Sequence, residues 1–301
     1  MSTGALKTEL PDGAVLRRAL RTDAVPARAR TLLLESALGL VEDVHGQSAQ
    51  ATGPPEEYSP EFQVAFPYRG LFVWHVGSDE VVADSNQILF IAGEESFRLR
   101  HPMVGTYAEL IITPSLGLLA EIAQTAESGL RRHPLFRRRS RRAQPRLQRT
   151  RALLMHRTRS GLGGPLAAEE SMIAALRVAL VLDDCAPLPG PSTRRLIARA
   201  KEFLEASYSS PLRLLDVARE VGASPAYLTD VFRRAEGVPL HGYLTQLRLA
   251  RALDELASAD DLTNLALDLG FSSHSHFTAV FRRWFGTTPS RFRREAQLAT
   301  D

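Results

Sequence analysis

The hydrophobic positions of this 301-residue chain keep two different periods. From about Pro60 to Pro114 they fall in short runs separated by turn residues. Gly70–Val76 is followed by the turn Gly77-Ser78-Asp79-Glu80. Val81–Ala83 and Gln87–Ile91 are separated by Asp84-Ser85-Asn86, and Ala92-Gly93-Glu94-Glu95 leads into Ser96–Arg100. Thr106–Thr113 closes the series. Short strands at roughly 8–12-residue spacing predict an antiparallel sandwich or barrel.

Beyond Pro114 the period becomes helical and predicts helices over Leu116–Ser128, Gln148–Arg159 and Ala167–Leu182, the last two split by Gly161-Leu162-Gly163-Gly164-Pro165. The stretch Ala186-Pro187-Leu188-Pro189-Gly190-Pro191 sustains neither a helix nor a strand interior and marks a boundary. From Ser192 onward everything reads as helix with short turns. Residues 1–58 mix polar, Pro and Gly residues with short apolar runs such as Leu32–Leu34, which predicts a loose arm with one helix. The expected plan is therefore an α+β chain of two domains: an arm over 1–58, a β-rich domain with helices over 59–185, a linker over 186–191 and an all-α domain over 192–301.

The last domain contains an internal repeat. Thr229-Asp230-Val231-Phe232-Arg233-Arg234 followed by Gly237 recurs, 49 residues on, as Thr278-Ala279-Val280-Phe281-Arg282-Arg283 followed by Gly286. Upstream, Ala218 with Gly222 four residues later recurs as Ala266 with Gly270. This order suits a helix-turn-helix: a small residue where the second helix crosses the first, and a glycine at a turn that favours positive φ. A serine then caps the second helix, Ser224 in the first copy and Ser272 or Ser273 in the second, and Pro225 fits the first helical position.

Within each second helix, Leu228, Val231, Phe232 and Ala235 fall on one face, as do Phe277, Val280, Phe281 and Trp284. The opposite faces carry Ala226, Thr229, Asp230 and Arg233 in the first copy, and Ser275, Thr278, Ala279 and Arg282 in the second, with His274 at the helix start. Small polar and basic groups on an exposed helix face suit the major groove of double-stranded DNA, where base edges are readable. Between the copies, Pro239–Ala257 reads as one helix about 27 Å long. Such a rod can hold two recognition helices ~34 Å apart, one turn of B-DNA. Ser192–Tyr208 and Pro289–Glu295 predict a preceding and a last helix.

These segments resemble the AraC/XylS family of bacterial transcription regulators. The likeness is carried by Ala218-Arg219-Glu220-Val221-Gly222-Ala223-Ser224-Pro225, by Tyr243-Leu244 with Leu247-Arg248-Leu249 and Arg251-Ala252, by Leu265-Ala266-Leu267-Asp268-Leu269-Gly270-Phe271-Ser272, and by Phe281 through Ser290. The resemblance implies two helix-turn-helix subdomains joined by a long helix, asymmetric DNA sites, and activation through contact with RNA polymerase. The strand pattern before them is similar to the cupin-like effector domain common in that family, with Gly70, Asp84 and Gly93 at turns. That likeness implies a small-molecule effector, for which Phe72, Trp74, Phe90, Phe97 and Tyr107 are the candidate pocket residues. The helices over 146–182 are candidates for a homodimer interface, with Leu153, Leu154, Leu176, Val178 and Leu180 either as its apolar surface or packed on the barrel. Asp230 departs from the family, whose members often carry a basic or amide group there. An acid can accept from cytosine N4 but also repels phosphate, and Ala226 offers only a methyl contact, so the first reader is expected to recognise bases less strongly than the second.

Composition narrows the picture further. The longest apolar stretches are broken by charge, as Met172–Leu182 is by Arg177, and fall short of the ~20 residues of a membrane span. No apolar core follows the N-terminus as in a secretory signal, and Cys185 is the single cysteine, so a cytoplasmic protein without an internal disulfide is expected. Net charge is +3, yet Arg131–Ser160 holds twelve arginines and no acidic residue. Such a block is read as a connector or solvated face, or as a second nucleic-acid contact. No cofactor is expected: His75 and His101 are the only histidines in the strand region and lack close spacing, which weighs against a cupin-type oxygenase. Alkyl-damage repair would need an activated thiolate, and Asp183 and Asp184 beside Cys185 disfavour one. Chromosome packaging does not suit residues 192–301, where fifteen Lys/Arg face thirteen Asp/Glu.

Overall fold

In a computed structural model, the described residues are 29–48, 56–77, 79–124, 139–160, 164–180 and 190–297. Ten strands and ten helices occur among them, and the strands form two antiparallel sheets. The larger has the order β1 (Ala29–Ser36), β2 (Gly39–Ser48), β9 (Gly105–Pro114), β4 (Gln63–Arg69), β7 (Gln87–Ile91), β10 (Ser140–Arg142). The smaller runs β3 (Glu56–Ser59), β8 (Glu95–Arg100), β5 (Phe72–Val76), β6 (Asp79–Ala83).

The period of two along a strand sends neighbouring residues into two different cores. From β9, Tyr107 and Ile111 join Phe72, Trp74, Phe97 and Leu99 between the sheets. Its Ala108, Leu110 and Ile112 point the other way, into a layer closed by α1 (Leu116–Ile122), α2 (Pro145–Arg159) and α3 (Gly164–Ala179). β7 splits in the same manner, with Leu89 and Ile91 between the sheets and Ile88 and Phe90 under the helices. A strand buried on both faces reads as a continuous apolar run, which is what the chain shows at 110–112.

Several elements differ from the sequence expectation. The expected loose arm over 1–58 contains β1, β2 and β3, with β2 pairing β9 over ten residues. The run Leu32–Leu34 is part of an edge strand whose outer half is exposed, not of a helix. β4 was hidden by Pro67, which has no N–H for a ladder; the pairing of β4 with β9 shifts register between Pro67 and Arg69, and pairing with β7 ends at Ala65. α2 starts three residues earlier than expected, with Pro145 in its first turn. The linker residues 186–189, Cys185, the ends of the expected helices at 125–128 and 181–182, and arginines 131, 132, 137 and 138 lie outside the described residues.

The C-terminal part is all helix: α4 (Pro191–Ser207), α5 (Leu214–Val221), α6 (Pro225–Glu236), α7 (Leu240–Glu255), α8 (Leu262–Asp268), α9 (His274–Phe285) and α10 (Pro289–Gln297). It has two cores joined by α7. Ile197, Leu204, Val217, Ala218, Leu228, Phe232 and Tyr243 close the first. Leu249, Leu253, Leu265, Ala266, Phe277, Phe281 and Phe292 close the second, with Ala152 of α2 among them.

Six of the described arginines of the block are held within the fold. Arg139 holds both carboxylate oxygens of Glu95, Arg141 donates to the last carbonyls of α3 at Val178 and Ala179, and Arg142 reaches Glu236 O at the end of α6. Arg149 pairs with Glu295, Arg151 with Asp254, and Arg159 with Asp43. A stretch rich in one charge folds here because the carboxylates it needs come from distant elements.

Candidate nucleic-acid interface

Each repeat is a helix-turn-helix built from local rules. In the first, Gly222 ends α5 with φ +68°, and the Ser224 side chain accepts from Tyr227 N at the start of α6. In the second, Gly270 has φ +81°, and Ser273 caps α9 by accepting from His276 N. Ser272, the other candidate cap, instead contacts His276 Nδ1 at 3.0 Å. Ala218 and Ala266 are both buried at the helix crossings, where a larger side chain would push the recognition helix away.

The inner faces fall as expected, with Leu228, Val231, Phe232, Phe277 and Phe281 buried, while Ala235, Val280 and Trp284 are part-buried at the margin of the cores. On the outer faces Ala226, Asp230, Arg233, Ser275 and Arg282 are exposed, and Thr229, His274 and Thr278 are half-buried. Thr229 Oγ1 donates to Pro225 O at 2.5 Å, and Thr278 Oγ1 lies 3.4 Å from His274 Nε2. Asp230 forms an ion pair with Arg234 one turn on. The acid is thus matched inside its own helix, a pairing readable from the i, i+4 spacing but not drawn from the sequence. Arg234 and Arg283, each exposed beside its counterpart, are two further cations on these helices that the repeat itself pointed to.

The interface is presented by a body docked on the β-rich part. Tyr243 of α7 donates to Asp84 Oδ2 at 2.6 Å in the turn before β7, and Gln87 Nε2 donates to Glu236 at 2.9 Å and to the Tyr243 hydroxyl at 3.2 Å. Lys201 pairs with Glu236 at 2.6 Å and donates to Val82 O at 3.2 Å. Further along α7, Arg251 pairs with Glu205 and donates to Tyr68 O at 2.6 Å, while Gly70 N donates to Glu205 at 3.1 Å. Burial raises the pKa of Asp84 and of Glu205, which Lys201 and Arg251 respectively oppose. Burial also pushes Tyr243 well above its ordinary range, so it remains a donor. His156 of α2 is buried and its pKa lowered; its Nε2 sits 2.9 Å from Leu253 O, so in the neutral ring Nε2 carries the proton.

The five pocket candidates do not share one site. Phe72, Trp74, Phe97 and Tyr107 meet between the sheets, whereas Phe90 lies on the opposite side of its strand, under the helices. The cavity beside Trp74 and Phe97 holds about 10 Å³, roughly one water. A larger cleft of about 370 Å³ opens where Gly70, His101 and Tyr107 face Glu205, Tyr208 and Arg251. His75 lies 3.5 Å from Glu80, and His101 stacks on Tyr107 with ring centroids 3.6 Å apart. Among the described residues no helix is long and apolar enough to cross a membrane.

A family model described as a helix-turn-helix domain matches residues 217–295, the span from α5 to α10. The Msm operon regulatory protein of Streptococcus mutans is 30% identical over 107 residues, which are 35% of this chain and 38% of that protein. The regulatory protein SoxS of Salmonella typhimurium is 35% identical over 103 residues, 34% of this chain and 96% of SoxS. Among solved structures, a transcriptional regulator with an AraC-type DNA-binding domain from Chromobacterium violaceum is 31% identical, covering 36% of this chain and 99% of that one with a TM-score of 0.34. The chain spans about a third of the length of the first curated relatives it matches.

Proposed function

The chain belongs to the AraC/XylS family of transcription regulators, and from that premise we propose that it binds double-stranded DNA sequence-specifically and regulates transcription. α6 and α9 enter successive major grooves, with Ala226, Thr229, Asp230, Arg233, His274, Ser275, Thr278 and Arg282 facing the duplex. The observation that carries this reading is the duplication: two capped helices with buried apolar faces and exposed polar faces, set on one connecting helix of 16 residues, about 24 Å.

The β-rich part acts, in this proposal, as a cupin-like sensor of a small-molecule effector. The side-chain network joining β4, β6 and β7 to α4, α6 and α7 supports coupling, since a shift of those strands would be felt at Glu236, the last residue of α6. Homodimerisation and contact with RNA polymerase extend the same reading, although of the leucines expected at a dimer surface Leu154, Leu176 and Leu180 are buried in the chain's own core. The arginine block is not assigned to DNA, because Arg139, Arg141, Arg142, Arg149, Arg151 and Arg159 are engaged within the fold. An enzymatic role has no comparable support, as the relatives matched are regulators.

Selection from a randomised duplex library with the full-length protein tests this. The expected result is one asymmetric site with two conserved boxes about one helical turn apart. Retention of all sequences alike would overturn it.

A further inference from the structure

The two helix-turn-helix units differ in what surrounds their turns. A Cβ added to Gly222 would meet nothing within 4 Å, whereas one added to Gly270 would lie 2.6 Å from Ser209 O. Gly222 is thus needed for its φ alone, and Gly270 also because another segment presses on it. That segment, residues 208–210, joins α4 to the approach of α5 and so belongs to the first unit.

Arg248, midway along α7, fastens this contact. Its Nε donates to Tyr208 O at 2.7 Å, its Nη2 to Ser210 O at 3.0 Å, and its Nη1 to Gly270 O at 2.7 Å. Its guanidinium carbon lies 6.0 Å from the centre of the Phe271 ring. All three of these acceptors are backbone carbonyls, two from the first unit's lead-in and one from the second unit's turn. A planar fork with fixed donor directions holds such carbonyls in one arrangement, which a single ammonium on a flexible stem cannot do.

Building on the DNA-reading role above, we propose that Arg248 is a positioning residue that sets the register between the two recognition helices. α7 joins the units end to end, and a joint at each end of a rod leaves the heads free to tilt. Arg248 adds a tie away from the rod axis, between the lead-in of α5 and the turn that launches α9. Gly270 lies only three residues before the cap Ser273, so any displacement of its carbonyl is carried into α9. The consequence is specificity for spacing: the protein reads two boxes at one separation and rejects others.

The test uses the full-length parent, Arg248→Ala, Arg248→Lys, Gly270→Ala and Gly222→Ala. Each is titrated against the duplex selected with the parent and against the same duplex with one base pair inserted between the boxes. The insertion moves the second box by about 3.4 Å and turns it by about 35°. The parent is expected to lose roughly tenfold or more, as for a misread base pair. The Arg248 variants and Gly270→Ala are expected to bind the selected duplex more weakly and to show a ratio between the two duplexes that falls toward one. Single-base substitutions within either box should keep the parent's fold-loss, which general unfolding would not preserve. Gly222→Ala, which strains φ without touching the tie, should keep the parent's ratio. Should Arg248→Ala fail to fold, Arg248→Lys carries the comparison, since it keeps the stem and the charge. A folded Arg248 variant with the parent's ratio overturns the inference while leaving DNA reading intact; a parent that enriches no sequence overturns both.

Discussion

At the scale of single residues, the outward charges of α6 and α9 differ in what they are free to do. Arg282 is exposed on the face opposite Phe281, and in the proposed pose it neutralises a phosphate. Arg282→Ala should then weaken binding and reduce the slope of log K against log salt by about 0.9, measured by fluorescence anisotropy over a salt series. An unchanged slope would remove the phosphate assignment. Asp230 presents the opposite case. Its ion pair with Arg234 is exposed and worth ~0.3–0.5 kcal/mol at most to the helix, so its loss should barely alter stability. Asp230→Asn should nonetheless tighten binding to nonspecific duplex and steepen the salt slope by up to about 0.9, because Arg234 is released. A variant with weaker nonspecific binding would show that the acid reads a base instead of repelling the backbone. Capping and i, i+4 pairing were legible at this scale, because they depend on residues within one turn of each other.

At the scale of elements, α2 illustrates how a local reading reaches its limit. Twelve arginines without an acid look solvated on any local criterion, and α2, which carries five of them, owes its place to Asp254, Glu295 and Asp43, all more than 100 residues distant from their partners. His156 reports on this docking. Its pKa is lowered below the ordinary 6.5 because burial disfavours the charged ring. The unfolded chain therefore binds a proton near pH 6.5 that the folded chain does not. The stability it contributes is present above that value and lost as pH falls toward the depressed native value, by up to ~1.4 kcal/mol per pH unit. Comparing urea unfolding of the parent and His156→Gln between pH 7.5 and 5.5 should show a smaller acid loss in the variant. Equal losses would mean that His156 charges in place. β4 makes the complementary point: Pro67 suppresses a strand signal that the flanking Val64, Ala65 and Phe66 would otherwise carry, and the shifted register that accommodates it exists only once β9 is alongside.

At the scale of the molecule, the docked arrangement makes a claim about stability that the isolated parts do not. Tyr243 is buried within the first helical core, yet its hydroxyl serves Asp84 and Gln87 of the β-rich part. Removing it leaves Asp84 Oδ2 without its hydroxyl donor in a site closed to water, while Oδ1 keeps the Asn86 N–H. Tyr243→Phe should cost the full-length protein ~1–3 kcal/mol in chemical denaturation. In a fragment of residues 192–301, which is expected to fold and bind DNA alone, the same substitution should cost close to nothing, because Asp84 is absent. An equal cost in both would show that the hydroxyl matters to the helical core and not to docking.

What the amino-acid order determined by itself is everything with a short reach: the duplicated helix-turn-helix, the glycine at each turn, the serine caps, the apolar stripes of α6 and α9, and strands β5 to β9 within a residue or two. These follow from periodicity and from steric and hydrogen-bonding rules that act over three or four residues. The tertiary structure alone decided that the Asp84-Ser85-Asn86 turn is buried instead of solvated, that Phe90 parts company with Phe72 and Trp74, that Arg151 of α2 is buried against Asp254, and that Gly270 lacks room for a side chain where Gly222 has it. A polar turn, an aromatic strand residue and an arginine each have two low-energy settings, exposed or matched. Which one is taken depends on a partner that folding brings from far along the chain, and no local pattern encodes that meeting.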